Sequence, residues 1–325
     1  GGMGKSALSW AWLRNEFLAH NPEADGVFWW SFYDSPFEVF LPLLACYVTG
    51  SETCDDRALS DMNAALQQGK FLLVLDGFER ALRGYAGMEA MFIQEKRFRG
   101  DKKAKEEWDR IMREPVNPEA GKFLRLLSQC RTRTLITTRL TPAPIDPRDS
   151  QTDLSGVKHQ RLTGLSKEDT VSFLTGEGVR GSRAELETAG RVYDYHPLML
   201  TLLASALRRS RTKDISRAFS MNLIDRAEPH KILSTSFNLL TPGEQEVVLK
   251  LSVFRSVFTF DAAAALMPEI DPDLLWDRMM ELRGLGFLFF HEAGDHFDFH
   301  PIMRSFLYPR FTASGGDRVH TLAAQ

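Results

Sequence analysis

The sequence predicts a parallel, three-layer α/β domain, then a helical domain, then helices that lead into a hairpin. Two observations carry this. Up to about residue 163, continuous apolar runs that end in polar residues alternate with helix-length stretches. Beyond that point capped helical stretches follow one another, and strand signals return only near residue 290. The 325 residues suit two to three domains at roughly 150 residues each.

The chain opens with Gly1-Gly2-Met3-Gly4-Lys5-Ser6. Gly4, Lys5 and Ser6 match the last three positions of the phosphate-binding pattern G-x-x-x-x-G-K-[ST], whose first glycine would fall two residues ahead of Gly1. Glycines there let backbone N–H groups converge on phosphate oxygens, where a side chain would block the approach. Lys5 would meet the β- and γ-phosphates, and Ser6 would bind Mg²⁺. Ala7 to His20 suits the following helix, with Leu8, Ala11, Trp12 and Phe17 at roughly helical spacing. Its positive dipole end would point at the same phosphates.

Val27 to Phe32 supplies a first strand. Phe71-Leu72-Leu73-Val74-Leu75 reads as a parallel strand buried on both faces, and it ends in Asp76. An acid at such a tip sits where open α/β sheets bind ligands. Asp76 could hold Mg²⁺ through water, and Glu79, one turn on, could position an attacking water. Asp76 could instead cap the next helix. Gly-Lys-Ser upstream favours the metal role. Thr134 to Thr138 forms a third strand ending in Arg139, whose permanent charge and geometry suit a γ-phosphate oxygen. His159 to Leu162 is expected to add a shorter strand.

In the second half Ser166 starts a helix, with Glu168 and Asp169 favouring its N-terminal dipole. Glu185 to Tyr195 and Leu198 to Arg208 read as helices separated by His196-Pro197, and the run Arg208-Arg209-Ser210-Arg211 as a solvated helix end. From Glu228 onward three helices and a hairpin are expected. Thr241-Pro242-Gly243-Glu244 is a helix start with proline in the first turn and a capping-box acid. Leu285 to Phe290 and His296 to Phe299 flank the turn Ala293-Gly294-Asp295. His291, His296 and His300 lack a nearby cysteine or a helical i, i+4 pair, so they read as ordinary hairpin histidines rather than a zinc site.

Composition excludes several classes. Hydrophobic residues make up 43% and charged residues 26%, values of a globular protein rather than a collagen, a coiled-coil rod or a disordered chain. A net charge of -3 opposes nucleic-acid binding through bulk positive charge. The three cysteines, Cys46, Cys54 and Cys130, form no CxxC pair, so reduced thiols in a cytoplasmic setting are expected. No apolar run approaches a membrane span; Phe37 to Val48 is too short and contains Pro42. The start lacks a signal-peptide pattern and an initiator methionine, so the chain reads as a fragment that begins after the strand preceding the loop, and as a weak nucleotide binder for that reason.

Six motifs in order are similar to those of STAND-class P-loop NTPases of the NB-ARC type. They are Gly-Gly-Met-Gly-Lys-Ser, Leu-Val-Leu-Asp-Gly-Phe-Glu, Leu-Ile-Thr-Thr-Arg, Leu-Thr-Gly-Leu-Ser-Lys-Glu-Asp, His196-Pro197-Leu198 and Phe299-His300-Pro301. The resemblance implies a P-loop nucleotide-binding domain over 1–163 with an insertion near 84–120, as in bacterial members carrying tetratricopeptide-type repeats. A small helical domain over 164–225, a winged helix over 226–312 and the start of a repeat region over 313–325 would follow. It also implies ADP or ATP with Mg²⁺, held by Gly1, Gly2, Met3, Gly4, Lys5, Ser6, Ala7 and Arg139, with Pro197 on the adenine and His300 at the ADP β-phosphate. Ser6 and Asp76 would hold the metal; Asp76 and Glu79 would serve hydrolysis.

Two departures stand out. Arg80 replaces a second acid after Glu79, which points to slow or vestigial hydrolysis, and Pro301 replaces the aspartate that usually ends the histidine motif. The charged stretch Asp101 to Glu107 reads as a solvated helix or loop. The implied function is a signalling switch, bacterial defence being one setting. Nucleotide exchange would open it and permit self-association, with effector and sensor regions lying elsewhere. A transcription regulator whose winged helix binds DNA, and a non-hydrolysing ADP-bound scaffold, are the alternatives. Asp271, Asp273, Asp277 and Glu281 against Arg278 and Arg283 make the third winged-helix segment a poor match for a phosphate backbone.

Overall fold

The computed structural model describes residues 3–86, 102–146, 156–209, 213–220, 231–254, 257–291 and 294–313. Lys5–Gln160 and Arg161–Gln325 belong to two different compact units.

In the first unit β1 (Gly26–Ser31), β2 (Phe71–Asp76) and β3 (Arg133–Ile136) form one parallel sheet in the order β1-β2-β3. Ser31 lies opposite Asp76, and Leu75 opposite Ile136, so the strand tips end level. The apolar run of β2 is buried from Leu72 onward because each face feeds a different core. Leu73 and Leu75 pack with Phe40, Leu44 and Leu66 from the helices Phe37–Thr49 and Asp56–Gln68, and with Phe123 and Leu124 from Pro118–Leu127. Leu72 and Val74 pack with Leu13 and Phe17. That alternation produces the three layers.

The helix expected over 7–20 starts at Lys5, runs to Trp12, and continues through a π-helical turn, Leu13–Phe17, into Leu18–His20. The expected third strand stops at Ile136, leaving Thr137 and Thr138 beyond it. His159 to Leu162 is not a strand. It is largely exposed, and its one apolar side chain, Leu162, gains little from a sheet position. Of the charged stretch, Lys102–Met112 is a helix with no fully buried residue, and Asp101 lies outside the described residues.

The cysteine expectation is overturned. Cys46 and Cys54 form a disulfide across the corner between the helices Phe37–Thr49 and Asp56–Gln68, with 5.2 Å between their Cα atoms; Cys130 is free. A spacing of eight gives no CxxC signal, but Gly50 in the left-handed conformation (φ 66°) turns the chain back and brings the two together.

The second unit has one core, running from Leu174 to Phe311. Ser166 caps Lys167–Gly176 through the Asp169 N–H. Ser182 and Glu185 form a capping box that starts the next helix at Arg183, two residues before its expected start. Pro197–Arg209 follows, then Ile215–Ser220. From residue 228 on, the described residues hold four helices before the hairpin rather than three: Lys231–Asn238, Pro242–Leu251, Phe260–Leu266 and Pro272–Gly284. Thr241 and Glu244 form the expected capping box. The antiparallel hairpin pairs β4 (Leu288–His291) with β5 (His296–Phe299), and the helix Pro301–Ala313 follows. β4 starts three residues later than expected because Gly286 (φ 83°) turns the chain ahead of it. Ala293 of the expected turn lies outside the described residues.

Arg209 is not a solvated end. It binds Glu244 (2.6 Å), Glu281 (2.7 Å) and the Leu239 carbonyl (2.6 Å), tying three helical segments together, while Arg208 pairs with Glu177. Ser210 and Arg211 lie outside the described residues. Among the described residues no helix is long and apolar enough to cross a membrane.

Candidate functional site

Parallel strands with level tips bring their C-terminal residues to one edge, and the candidate site is built there. Gly4 adopts a left-handed conformation (φ 76°) with open space around the position of a Cβ, directly before Lys5 starts the first helix. Lys5 is half-buried; that burial pulls its ammonium below the usual lysine range, as does Arg139, while Glu79 and Asp76 act in the opposite direction. Ser6 Oγ donates to Asp76 Oδ1 at 2.8 Å. Asp76 is almost fully buried and does not cap the turn that follows, since Gly77 occupies that N-cap without a side-chain bond.

Thr137, given no role from sequence, holds this arrangement. Its hydroxyl donates to Asp76 Oδ1 and accepts from the Gly77 N–H (2.9 Å), while its carbonyl accepts from the Phe78 N–H (2.9 Å). β3 thereby fixes the tip of β2. The signal was present in Leu-Ile-Thr-Thr-Arg, but only the sheet register shows which threonine turns toward Asp76.

Glu79 is fully buried. Its Oε1 lies 2.9 Å from Arg139 Nε and accepts from Tyr33 Oη at 3.0 Å, and its Oε2 accepts from the Arg139 N–H at 3.3 Å. Burial, then the Glu79 carboxylate, push the Tyr33 phenol far above the usual tyrosine range, so it stays a donor. Burial alone would lower Arg139, but Tyr33, Tyr85 and Glu79 around it hold it firmly charged. The Arg80 guanidinium lies over the rings of Tyr33 (4.8 Å) and Tyr85 (4.5 Å). Tyr33 and Tyr85 carry no motif signal; the chain path after β1 and after Glu79 delivers them.

The structure thus gathers Lys5, Ser6, Asp76, Glu79 and Arg139 at one edge. Met3 is partly buried and Ala7 is exposed on the first helix, while Gly1 and Gly2 lie outside the described residues. Pro197 and His300 belong to the other unit. Pro197 opens its helix and is partly buried. His300 is buried between β5 and the last helix, where its Nδ1 accepts from the Ile302 N–H (3.2 Å). Nearby, Arg304 pairs with buried Asp298 at 3.3 Å. His291 and His296 stack across the hairpin with ring centroids 4.8 Å apart.

Ser6 and Asp76 present a hydroxyl and a carboxylate oxygen within 2.8 Å of each other, the hard oxygen donors that Mg²⁺ takes, beside a lysine and a helix N-terminus suited to phosphates. The residues fit a Mg²⁺-nucleotide.

No known family description matches the sequence, and no curated protein matches it. Among solved structures the chain is similar to a Signal Transduction ATPase with Numerous Domains (STAND) protein with a tetratricopeptide repeat sensor from Pyrococcus horikoshii. Identity is 15% and the TM-score 0.54, over 94% of this chain and 38% of that one. It also matches a Walker-type ATPase of Pyrococcus abyssi (12% identity, 94% of this chain and 88% of that one, TM-score 0.39). A third match is Cdc6p from Pyrobaculum aerophilum (14%, 98% and 86%, TM-score 0.38). The last two superpose too loosely to carry an argument. The parallel sheet with its flanking helices and the first likeness define an α/β P-loop NTPase fold.

Proposed function

We propose that this chain is the nucleotide-operated module of a STAND-class switch of the NB-ARC type, binding ADP and ATP with Mg²⁺. The observation that carries this is the Ser6–Asp76 hydrogen bond beside Lys5, with Glu79 and Arg139 at the same sheet edge. Lys5 binds the β- and γ-phosphates, and Ser6 and Asp76 hold Mg²⁺, which neutralises phosphate charge when bound. Arg139 reads the γ-phosphate, and Glu79 orients the water of a slow hydrolysis. Thr137 keeps Asp76 in place. Residues 164–225 act as the helical domain and 226–312 as the winged helix, with Pro197 on the adenine and His300 at the ADP β-phosphate in the closed state. Exchange for ATP opens the module for self-association.

The test is calorimetric titration of the full-length protein with ADP and ATPγS. Lys5→Ala should weaken ATPγS binding by about ten- to a hundredfold, the worth of a charged hydrogen bond. Unchanged affinity would refute the P-loop assignment. Asp76→Asn should impair Mg²⁺-dependent affinity more than affinity for ADP without metal; equal loss of both would remove the metal role.

A further inference from the structure

Arg139, the guanidinium proposed for the γ-phosphate, already holds an anion. Its Nε lies 2.9 Å from Glu79 Oε1, and the carboxylate has no exposure to water. We infer that Glu79 is an internal competitor of the γ-phosphate for Arg139, so that this site favours nucleoside diphosphates, and that Tyr33 is the positioning residue that steadies Glu79 when a triphosphate draws Arg139 away. The inference rests on the reading of Arg139 given above.

The physical argument starts from the cost of separating the pair. A diphosphate ends short of the third phosphate and leaves Glu79–Arg139 intact. A triphosphate has to separate the two, and a buried carboxylate that loses its cation is left uncompensated. Here it is not left bare. Tyr33 Oη and the Arg139 N–H still donate to it at 3.0 and 3.3 Å. Tyr33 is held where it stands. Its ring lies on Gly77, where an added Cβ would come within 2.2 Å of it, and that glycine has φ 70°. The Arg80 guanidinium packs against the same ring and against Tyr85. Arg80, where an acid would add a second negative charge, instead fixes the group that steadies the first.

Removing the competitor and removing its support should therefore act in opposite directions. In the full-length protein with Mg²⁺, the ratio of ATPγS to ADP affinity is measured by calorimetry. Glu79→Gln, which keeps the shape and removes the charge, should raise the ratio by about tenfold; Tyr33→Phe, which leaves the displaced carboxylate with one donor fewer, should lower it by roughly threefold. Arg139→Ala separates the two levels of the reading. If it leaves the ratio unchanged, Arg139 does not read the γ-phosphate and the underlying assignment fails. If it lowers the ratio while Glu79→Gln does nothing, the assignment stands and the competition is overturned. If Glu79→Gln does not fold, Tyr33→Phe decides: an unchanged or raised ratio, or equal loss of both nucleotides, overturns the inference.

Discussion

Thr137 shows how much one hydroxyl can fix. It links the carboxylate of Asp76, the last residue of β2, to the backbone of Gly77 that follows it, while standing just beyond the end of β3. Thr137→Val keeps the shape and removes both bonds, leaving the Gly77 N–H unpaired in a buried place. The expected loss is about 2 kcal/mol in urea-unfolding stability, and a loss near zero would mean that water or another group replaces the hydroxyl. The placement of Lys5 and Ser6 at a helix start, and of Asp76 and Glu79 at a strand tip, was legible because each pair depends on spacing along its own segment. Thr137, Tyr33 and Tyr85 were not, because their roles arise only when neighbouring strand tips end level. The direction of Glu79 was also hidden: its spacing from Asp76 is a local property, whereas its burial against Arg139 depends on a segment sixty residues away.

At the scale of elements, the run Phe71 to Asp76 announced a strand buried on both faces, and the structure divides it between two cores as period-two alternation requires. The first helix was legible in outline, but not the π-helical turn within it. Within it Leu13 and Phe17, four residues apart on one face, both lie at 5% exposure over Leu72 and Val74. Leu13→Ala should then cost roughly 3 kcal/mol, read as a lower melting temperature and urea midpoint. A cost under a third of that would show that the neighbours close the cavity. The missing strand at His159 to Leu162 has the converse cause: the stretch offers one apolar side chain, Leu162, too little to bury against a core. The Cys46–Cys54 bond leaves no signature in the sequence because cysteine spacing is informative for metal and redox motifs, not for two ends of a helical corner.

At the scale of the whole molecule, Ser166 and Thr241 mark their helix starts correctly, since a cap acts on the chain immediately after it, whereas the Ser182 cap starts its helix two residues ahead of the expected place. What no local signal reveals is that those helices and the hairpin share one core from Leu174 to Phe311. Hydrogen exchange checks this. The most protected amides of Pro197–Arg209, Pro242–Leu251 and β5 should open with one common free energy. Separate values differing by several kcal/mol would mean that the helical and hairpin segments open independently. The three apolar clusters also differ in what a broken backbone would do to them. A proteolytic nick between Gln160 and Arg161 divides none of the clusters, because two draw only on residues before it and the third only on residues after it. A nick between Arg209 and Lys231 splits the third cluster in two, and each fragment would carry part of an interior that neither can close alone.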